Sequence, residues 1–275
     1  MPLDGAQVLD VRPLLPAERG ELIDLLGRLS PDEWSAATAC PGWTVKHIAV
    51  HVLGEELGWL SRGRDGDTSG LLDDQIELRA FVELLDAKNQ RWVDAASGLS
   101  PRVVIDLLRW SGDQFDRYVD GIDLDEPSSV IWAGPDPTPR WFDLARDFTE
   151  RWVHQQQIRD AVGRPWLDDA HTGAVLRTFL WALPHHYREV PAAEGSTVAI
   201  WITGPGGGAW ALVCIDETTW DLSEGEPDRR DAEVALTSDA AWRVLTGATV
   251  PAEAIELRGA LHLAHPFLSA RAIIV

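Results

Sequence analysis

Two side chains in the middle of the chain have the spacing of a pair of metal ligands. Glu150 and His154 are four residues apart in a segment with helical periodicity, and residues four apart lie on one face of a helix. A carboxylate and an imidazole side by side form part of many zinc sites. A solvated ion pair also explains this spacing. The pair alone therefore indicates a candidate site without establishing one.

A histidine on a second predicted helix would complete such a site. His51 lies on or beside the apolar stripe of a predicted helix over residues 43–60. A histidine in that position is also commonly a hydrogen-bonded core residue. If His51, Glu150 and His154 face one bundle core, they form a two-histidine, one-carboxylate set with open coordination positions. The sequence therefore predicts metal chemistry within a helical bundle.

The elements that would position these ligands follow from hydrophobic periodicity. From residue 12 to about residue 163, apolar residues recur at helical spacing. The pattern predicts helices over residues 15–29, 43–60, 72–95, 100–121 and 141–162. Residues 123–140 are rich in proline and glycine, which indicates a loop. We expect a bundle domain over residues 1–168, with the candidate ligands on its second and last helices.

The remaining residues, 169–275, have the pattern of a smaller α+β domain. β-Branched and aromatic residues predict strands over residues 197–203, 209–215, 220–222, 232–237 and 272–275. Helical segments are predicted over residues 172–190 and 239–245. The glycine run at 204–208 joins two strands and lacks the lysine of a phosphate-binding loop, so a hairpin is favoured.

Charge and composition exclude several classes of partner. The 275 residues include 44 acidic and 24 basic side chains, for a net charge of −20. The electrostatic field of this negative charge opposes binding to nucleic acid or to anionic membranes, because such binding depends on Lys and Arg side chains. No run of 18 apolar residues occurs, and two cysteines do not form a disulfide framework. We expect a cytoplasmic protein that acts on a small molecule, as a monomer or a homodimer.

Two stretches of the sequence resemble the signatures of one enzyme family. Residues 40–51 read CPGWTVKHIAVH, and residues 150–154 read ERWVH, followed by IRDAVGRP at residues 158–165. Both resemble the DinB-like, mycothiol-dependent maleylpyruvate isomerase family, and LTG at 245–247 and GALHLA at 259–264 are similar to its C-terminal domain. The resemblance implies a DinB-like four-helix bundle followed by a smaller α+β domain related to sterol carrier protein type 2.

The resemblance also implies a site and a mechanism. It makes His51, Glu150 and His154 the ligands of a divalent metal, with zinc expected, and mycothiol the low-molecular-weight thiol cofactor. A metal-bound thiolate would attack a small electrophilic substrate, giving an isomerase or an S-transferase. The family places an arginine near the end of the chain, and Arg258 is the candidate for binding a substrate carboxylate. A surface arginine is the alternative for Arg258.

Several alternatives remain open from the sequence. The fold could belong to a non-catalytic metal-binding or regulatory protein, or to a hydrolase that uses metal-activated water. Glu55 is a fallback ligand, but a solvated partner of Arg62 or Arg64 is the preferred interpretation of this residue. His47 is expected on the helix surface or behind the ligands. Cys40 is either a buried turn residue or, before a helix N-terminus, a nucleophile.

Overall fold

A computed structural model describes residues 7–72, 78–128 and 138–272. Its contacts divide the chain into two compact units, each described here by itself. The helical unit comprises Arg12–Ile122 and Arg151–Trp166. The sheet unit comprises Met1–Val11, Asp123–Glu150 and Leu167–Val275. The predicted boundary between residues 168 and 169 stays a prediction.

The first part of the chain is helical. Its helices are α1 (Leu15–Gly27), α2 (Pro31–Trp34), α3 (Val45–Trp59), α4 (Leu78–Ala95), α5 (Pro101–Val119) and α6 (Arg140–Ala161). A π-helical turn, Leu60–Arg64, continues α3. The first half of α6 belongs to the sheet unit and the second half to the helical unit.

The core of the helical unit is apolar and forms between α1, α3, α4, α5 and the second half of α6. Helix α5 packs against α1 and α3, and α3 packs against α4. Leu22, Ile48, Leu53, Leu108 and Ile158 are among the side chains that this core buries almost completely. Burying a side chain of this size stabilises a fold by about 1.5–3 kcal/mol. The apolar stripe of α3 is therefore held firmly, which fixes the direction of its other side chains.

The sheet unit contains a five-stranded sheet among its described residues. Its elements are α7 (Asp169–Leu180), α8 (Leu183–Tyr187), β1 (Thr197–Thr203), β2 (Gly208–Cys214), β3 (Trp220–Glu224), β4 (Ala232–Thr237), α9 (Ser238–Leu245), β5 (Ile255–Gly259) and α10 (Leu261–Ala264). The strand order is β3-β2-β1-β4-β5. Only the β1–β4 pair is parallel among these strands. Helices α9 and α10 pack against β4.

The predicted two-domain α+β class is confirmed, with a helical N-terminal region and a C-terminal sheet. The glycine run does form the β1–β2 hairpin. The sequence missed β5, a short strand at the edge of the described sheet that pairs with β4 and carries Glu256 and Arg258. Of the strand predicted over 272–275, residues 273–275 lie outside the described residues. No described helix is both long and apolar enough to span a membrane.

Candidate functional site

A tight turn before α3 sets the start of the helix that carries His51. The Trp43 amide donates to the Cys40 carbonyl at 3.0 Å, and Gly42 has φ +79°. Proline followed by a glycine of positive φ is the pattern of a type II turn, which other residues adopt with strain. The Cys-Pro-Gly turn predicted from the sequence is therefore present.

His47 acts at the beginning of α3. Its Nδ1 accepts a hydrogen bond from the Thr44 amide at 3.2 Å. The first amides of a helix have no partner within the helix, so this bond satisfies one of them. His47 is thus a capping residue of α3, in keeping with its predicted role outside the ligand set.

His51 and His154 come together within the helical unit. Their ring centroids are 4.6 Å apart, and the planes are nearly perpendicular at 84°. His51 is 5% exposed. The Trp43 ring lies 5.1 Å from the His51 ring, tilted by 55° to it. Two distant segments therefore place two imidazoles in contact, as the sequence predicted for these two residues.

His154 is held by a side chain on its own helix. Its Nδ1 lies 2.8 Å from Oε1 of Gln157, three residues further along α6. The same amide oxygen accepts a hydrogen bond from the Cys40 thiol, with Sγ at 3.1 Å. Cys40 is half-buried. The turn before α3 and the second half of α6 are therefore joined by Gln157.

Glu55 is the carboxylate next to the histidine pair. Its Oε1 lies 3.3 Å from Nε2 of His51. Burial opposes ionisation of Glu55, but the charges of His51, His154 and Arg151 outweigh burial and lower its pKa to about 2. Its Oε2 is buried and has no hydrogen-bond partner within the described residues. The expectation that Glu55 is a solvated partner of Arg62 or Arg64 is wrong, because the carboxylate turns toward His51.

The donor atoms around the histidine pair suit the divalent metal that the sequence predicts. Two imidazoles and a carboxylate are a donor set that zinc accepts. Within residues 7–72, 78–128 and 138–272, the buried Oε2 of Glu55 has no hydrogen-bond partner, and a cation would supply one. Among the described residues, no group of three His, Cys, Asp or Glu side chains is arranged to hold a metal ion. The donor types thus fit a divalent metal, while the full ligand set stays a prediction.

Glu150 lies one helical turn before His154 on α6, as predicted. Its Oε1 is 3.5 Å from Nη1 of Arg146, and its side chain is 15% exposed. An ion pair between residues four apart on a helix is an ordinary interaction. The role of Glu150 as a ligand stays a prediction.

Arg258 lies on the edge strand β5. Its Nη2 is 2.6 Å from Glu256 and its Nη1 is 3.8 Å from Glu233, and its side chain is 63% exposed. Both neighbours are carboxylates that neutralise the guanidinium. These contacts favour the surface alternative, and the catalytic role of Arg258 stays a prediction.

A second polar cluster occupies the core of the helical unit. Glu56 is 1% exposed and accepts hydrogen bonds from Arg19 at 2.9 Å, from Arg151 at 2.6 Å and from the Ser111 hydroxyl. Arg19 also binds Asp116 through both terminal nitrogens. A buried carboxylate with three donors is fully satisfied, which indicates a structural role.

Two residues of the site escaped the sequence analysis or were ranked too low. Gln157 had a local signal, since it follows His154 by three residues on one helical face. Glu55 follows His51 by four residues and was ranked below its surface alternative. A spacing of three or four residues does not show which neighbour a flexible side chain contacts. The sequence therefore could not identify His154 as the partner of Gln157 or His51 as the partner of Glu55.

Comparison with known proteins identifies the class of protein. The model of the mycothiol maleylpyruvate isomerase N-terminal domain matches residues 15–159, more than half of the chain. The chain therefore belongs to this family. Two uncharacterized proteins of Mycobacterium tuberculosis, from strains CDC 1551 / Oshkosh and ATCC 25618 / H37Rv, are each 27% identical over 218 residues, 75% of this chain and 76% of the relative.

Solved structures of similar fold agree with this assignment. The crystal structure of the mycothiol-dependent maleylpyruvate isomerase is 15% identical with a TM-score of 0.53, covering 90% of both chains. A histidine-to-alanine mutant of a protein of that name is 14% identical with a TM-score of 0.54 and the same coverage. At such low identity, the likeness extends to the fold.

Proposed function

We propose that this chain is a thiol-dependent enzyme that acts on a small electrophilic substrate, with mycothiol as the thiol. Membership of the maleylpyruvate isomerase family supports this function. The observation that carries the proposal is the contact between the buried His51 and the half-buried His154, with Glu55 3.3 Å from His51. A bundle has no structural need for two imidazoles in contact, one of them buried, so a shared ligand explains them best.

The proposed metal ligands are His51, His154 and Glu150, with Glu55 as the alternative carboxylate. Zinc is the proposed metal, since imidazole and carboxylate are among its usual ligands. When bound, a divalent cation supplies positive charge that keeps a coordinated thiol deprotonated near neutral pH.

The protein's own residues prepare the site for a thiolate. Trp43 and the bundle core exclude water from His51, which strengthens electrostatic interactions there. The Glu55 carboxylate, 3.3 Å from Nε2 of His51, is placed to accept a hydrogen bond from that nitrogen when the nitrogen carries a proton. A thiolate that adds to an electron-poor double bond and is then eliminated gives an isomerase, whereas a product that keeps the thiol gives an S-transferase.

Two other functions share the same fold. A non-catalytic metal-binding or regulatory protein would keep the histidine pair without turnover. A hydrolase would use activated water and would not need a thiol. The family supports a thiol-dependent reaction over both. We propose a small-molecule partner and no nucleic acid or membrane partner, in a cytoplasmic monomer or homodimer.

The experiment combines metal analysis with turnover. Protein purified without chelators is analysed for zinc and assayed with maleylpyruvate, with and without mycothiol, alongside His51→Ala, His154→Ala and the exposed His262→Ala as a control. We expect about one zinc per chain in the wild type and in His262→Ala, and loss of zinc and turnover in the other two variants. A wild type that carries no divalent metal contradicts the proposal.

The same assay separates the alternatives. Turnover that requires mycothiol supports the thiol-dependent enzyme, and turnover without it supports the hydrolase. Zinc binding without turnover of maleylpyruvate or of other electrophiles supports the regulatory protein. Arg258→Ala should raise KM several-fold if Arg258 binds the substrate carboxylate, and should change nothing if it is a surface residue.

A further inference from the structure

Gln157 bridges two segments that are far apart in the sequence. Its Oε1 lies 2.8 Å from Nδ1 of His154 and 3.1 Å from Sγ of Cys40, a residue 117 positions away. His154 lies on α6, whereas Cys40 belongs to the turn before α3. One carboxamide oxygen therefore has two polar neighbours, one of which is a proposed metal ligand.

The chemistry of an amide oxygen fixes the proton on His154. A carboxamide oxygen only accepts hydrogen bonds, so both neighbours must donate. A neutral imidazole carries a single N–H, and a proton on Nδ1 leaves the lone pair on Nε2. Histidines that bind metals commonly donate their second ring N–H to an oxygen acceptor, which fixes tautomer and ring orientation.

We infer that Gln157 is a positioning residue that holds His154 in its Nδ1–H tautomer, so that Nε2 is the nitrogen presented to a ligand. The inference deepens the proposed function and rests on it for the identity of that ligand. The helix periodicity does not require the hydrogen bond between Gln157 and His154, because an exposed glutamine would form hydrogen bonds with water instead.

Cys40 contributes to the orientation of the amide. If the carboxamide were rotated by half a turn, its NH₂ group would face His154 and Cys40. Nδ1 of His154 would then be an acceptor, and its proton would move to Nε2. The thiol is a donor, although a weak one, and it favours the oxygen on its side. Cys40 thereby helps to select the amide orientation that His154 requires.

The tautomer is measured directly by long-range ¹H–¹⁵N NMR of the full chain. The His154 signals are assigned by their absence in His154→Ala. We expect Nδ1–H in the wild type and in Gln157→Glu, since a carboxylate also accepts. Gln157→Leu removes the acceptor and should shift His154 toward Nε2–H. Gln156→Leu, at a neighbouring buried glutamine, is the matched control and should leave His154 unchanged.

Zinc affinity gives a second measurement, by competition with a chromophoric chelator. We expect Gln157→Leu to bind zinc roughly 10- to 100-fold more weakly, with Gln157→Glu and Gln156→Leu near the wild type. A wild type with Nε2–H, or an unchanged tautomer in Gln157→Leu, overturns the inference. A wild type that binds no zinc contradicts the proposed function, while its tautomer still decides the role of Gln157, so the two failures are distinguishable.

Discussion

Adjacent residues of α3, Glu55 and Glu56, have opposite surroundings. Glu56 is 1% exposed and receives hydrogen bonds from two arginines and a serine. Glu55 is 26% exposed at its side chain and has one contact with His51, while its buried Oε2 has no hydrogen-bond partner within the described residues. A glutamate thus has all its hydrogen-bond partners at position 56, whereas one carboxylate oxygen of the glutamate at position 55 has none among the described residues.

The contrast separates a carboxylate with a structural role, Glu56, from one for which we propose a role in ligand binding, Glu55. Removing one partner from a satisfied buried ion pair leaves an uncompensated charge, which is costly. A buried polar atom without a hydrogen-bond partner needs an explanation, and one explanation is that the atom holds a ligand. The polar cluster around Glu56 therefore keeps the bundle in shape, and the group around Glu55 is where binding is expected.

The largest expected effect on stability comes from Glu56→Ala. Loss of this carboxylate leaves Arg19 and Arg151 buried beside each other, so we expect the free energy of unfolding to fall by about 3–5 kcal/mol. Urea denaturation followed by circular dichroism measures the change. Glu55→Ala is the matched comparison, and its loss should be clearly smaller, because the Glu55 side chain is 26% exposed and its removal does not leave two buried arginines without their shared carboxylate. Equal losses at the two positions would remove the distinction between them.

An intermediate effect is expected from Gly112→Ala. A Cβ at Gly112 would lie 2.2 Å from Nε of Arg19, which binds Glu56. The displaced guanidinium should lower stability by about 1–3 kcal/mol. At Gly20, within α1, a Cβ meets nothing within 4 Å, so Gly20→Ala should raise stability by up to about 1 kcal/mol. A neutral or stabilising Gly112→Ala, measured by thermal denaturation, would show that Arg19 has freedom to move.

The smallest effect concerns pH and Glu18. Burial raises the pKa of Glu18 above its ordinary 4.5, although Arg151, Gln155 and Arg19 oppose this shift. A raised folded-state pKa means that the contribution of Glu18 is present below pH 4.5 and is lost as pH rises through the folded value. The stability of Glu18→Gln relative to the wild type should therefore increase from pH 4 to pH 7. If the difference in stability between Glu18→Gln and the wild type stays constant with pH, the neighbouring charges and hydrogen bonds offset the effect of burial on the pKa of Glu18.

Local sequence determined much of this protein. Periodicity placed the long helices of the bundle and most strands, because neighbouring side chains decide which face of an element is apolar. It missed the short helix α2, and the segment predicted over 172–190 is two helices, α7 and α8. Family signatures at residues 40–51 and 150–154 led to His51 and His154, which are in contact. The positions of these two histidines on their helices are properties of short segments, so they could be predicted.

Tertiary structure decided the partners of the polar side chains. No local rule distinguishes Glu55 from Glu56, since their surroundings come from α1, α5 and α6 as well as α3. Gln157 meets Cys40 across 117 positions, and β5 forms only because β4 offers an edge. A buried polar atom takes its role from whichever distant group satisfies it or leaves it unsatisfied, and that information arises only when the chain is folded.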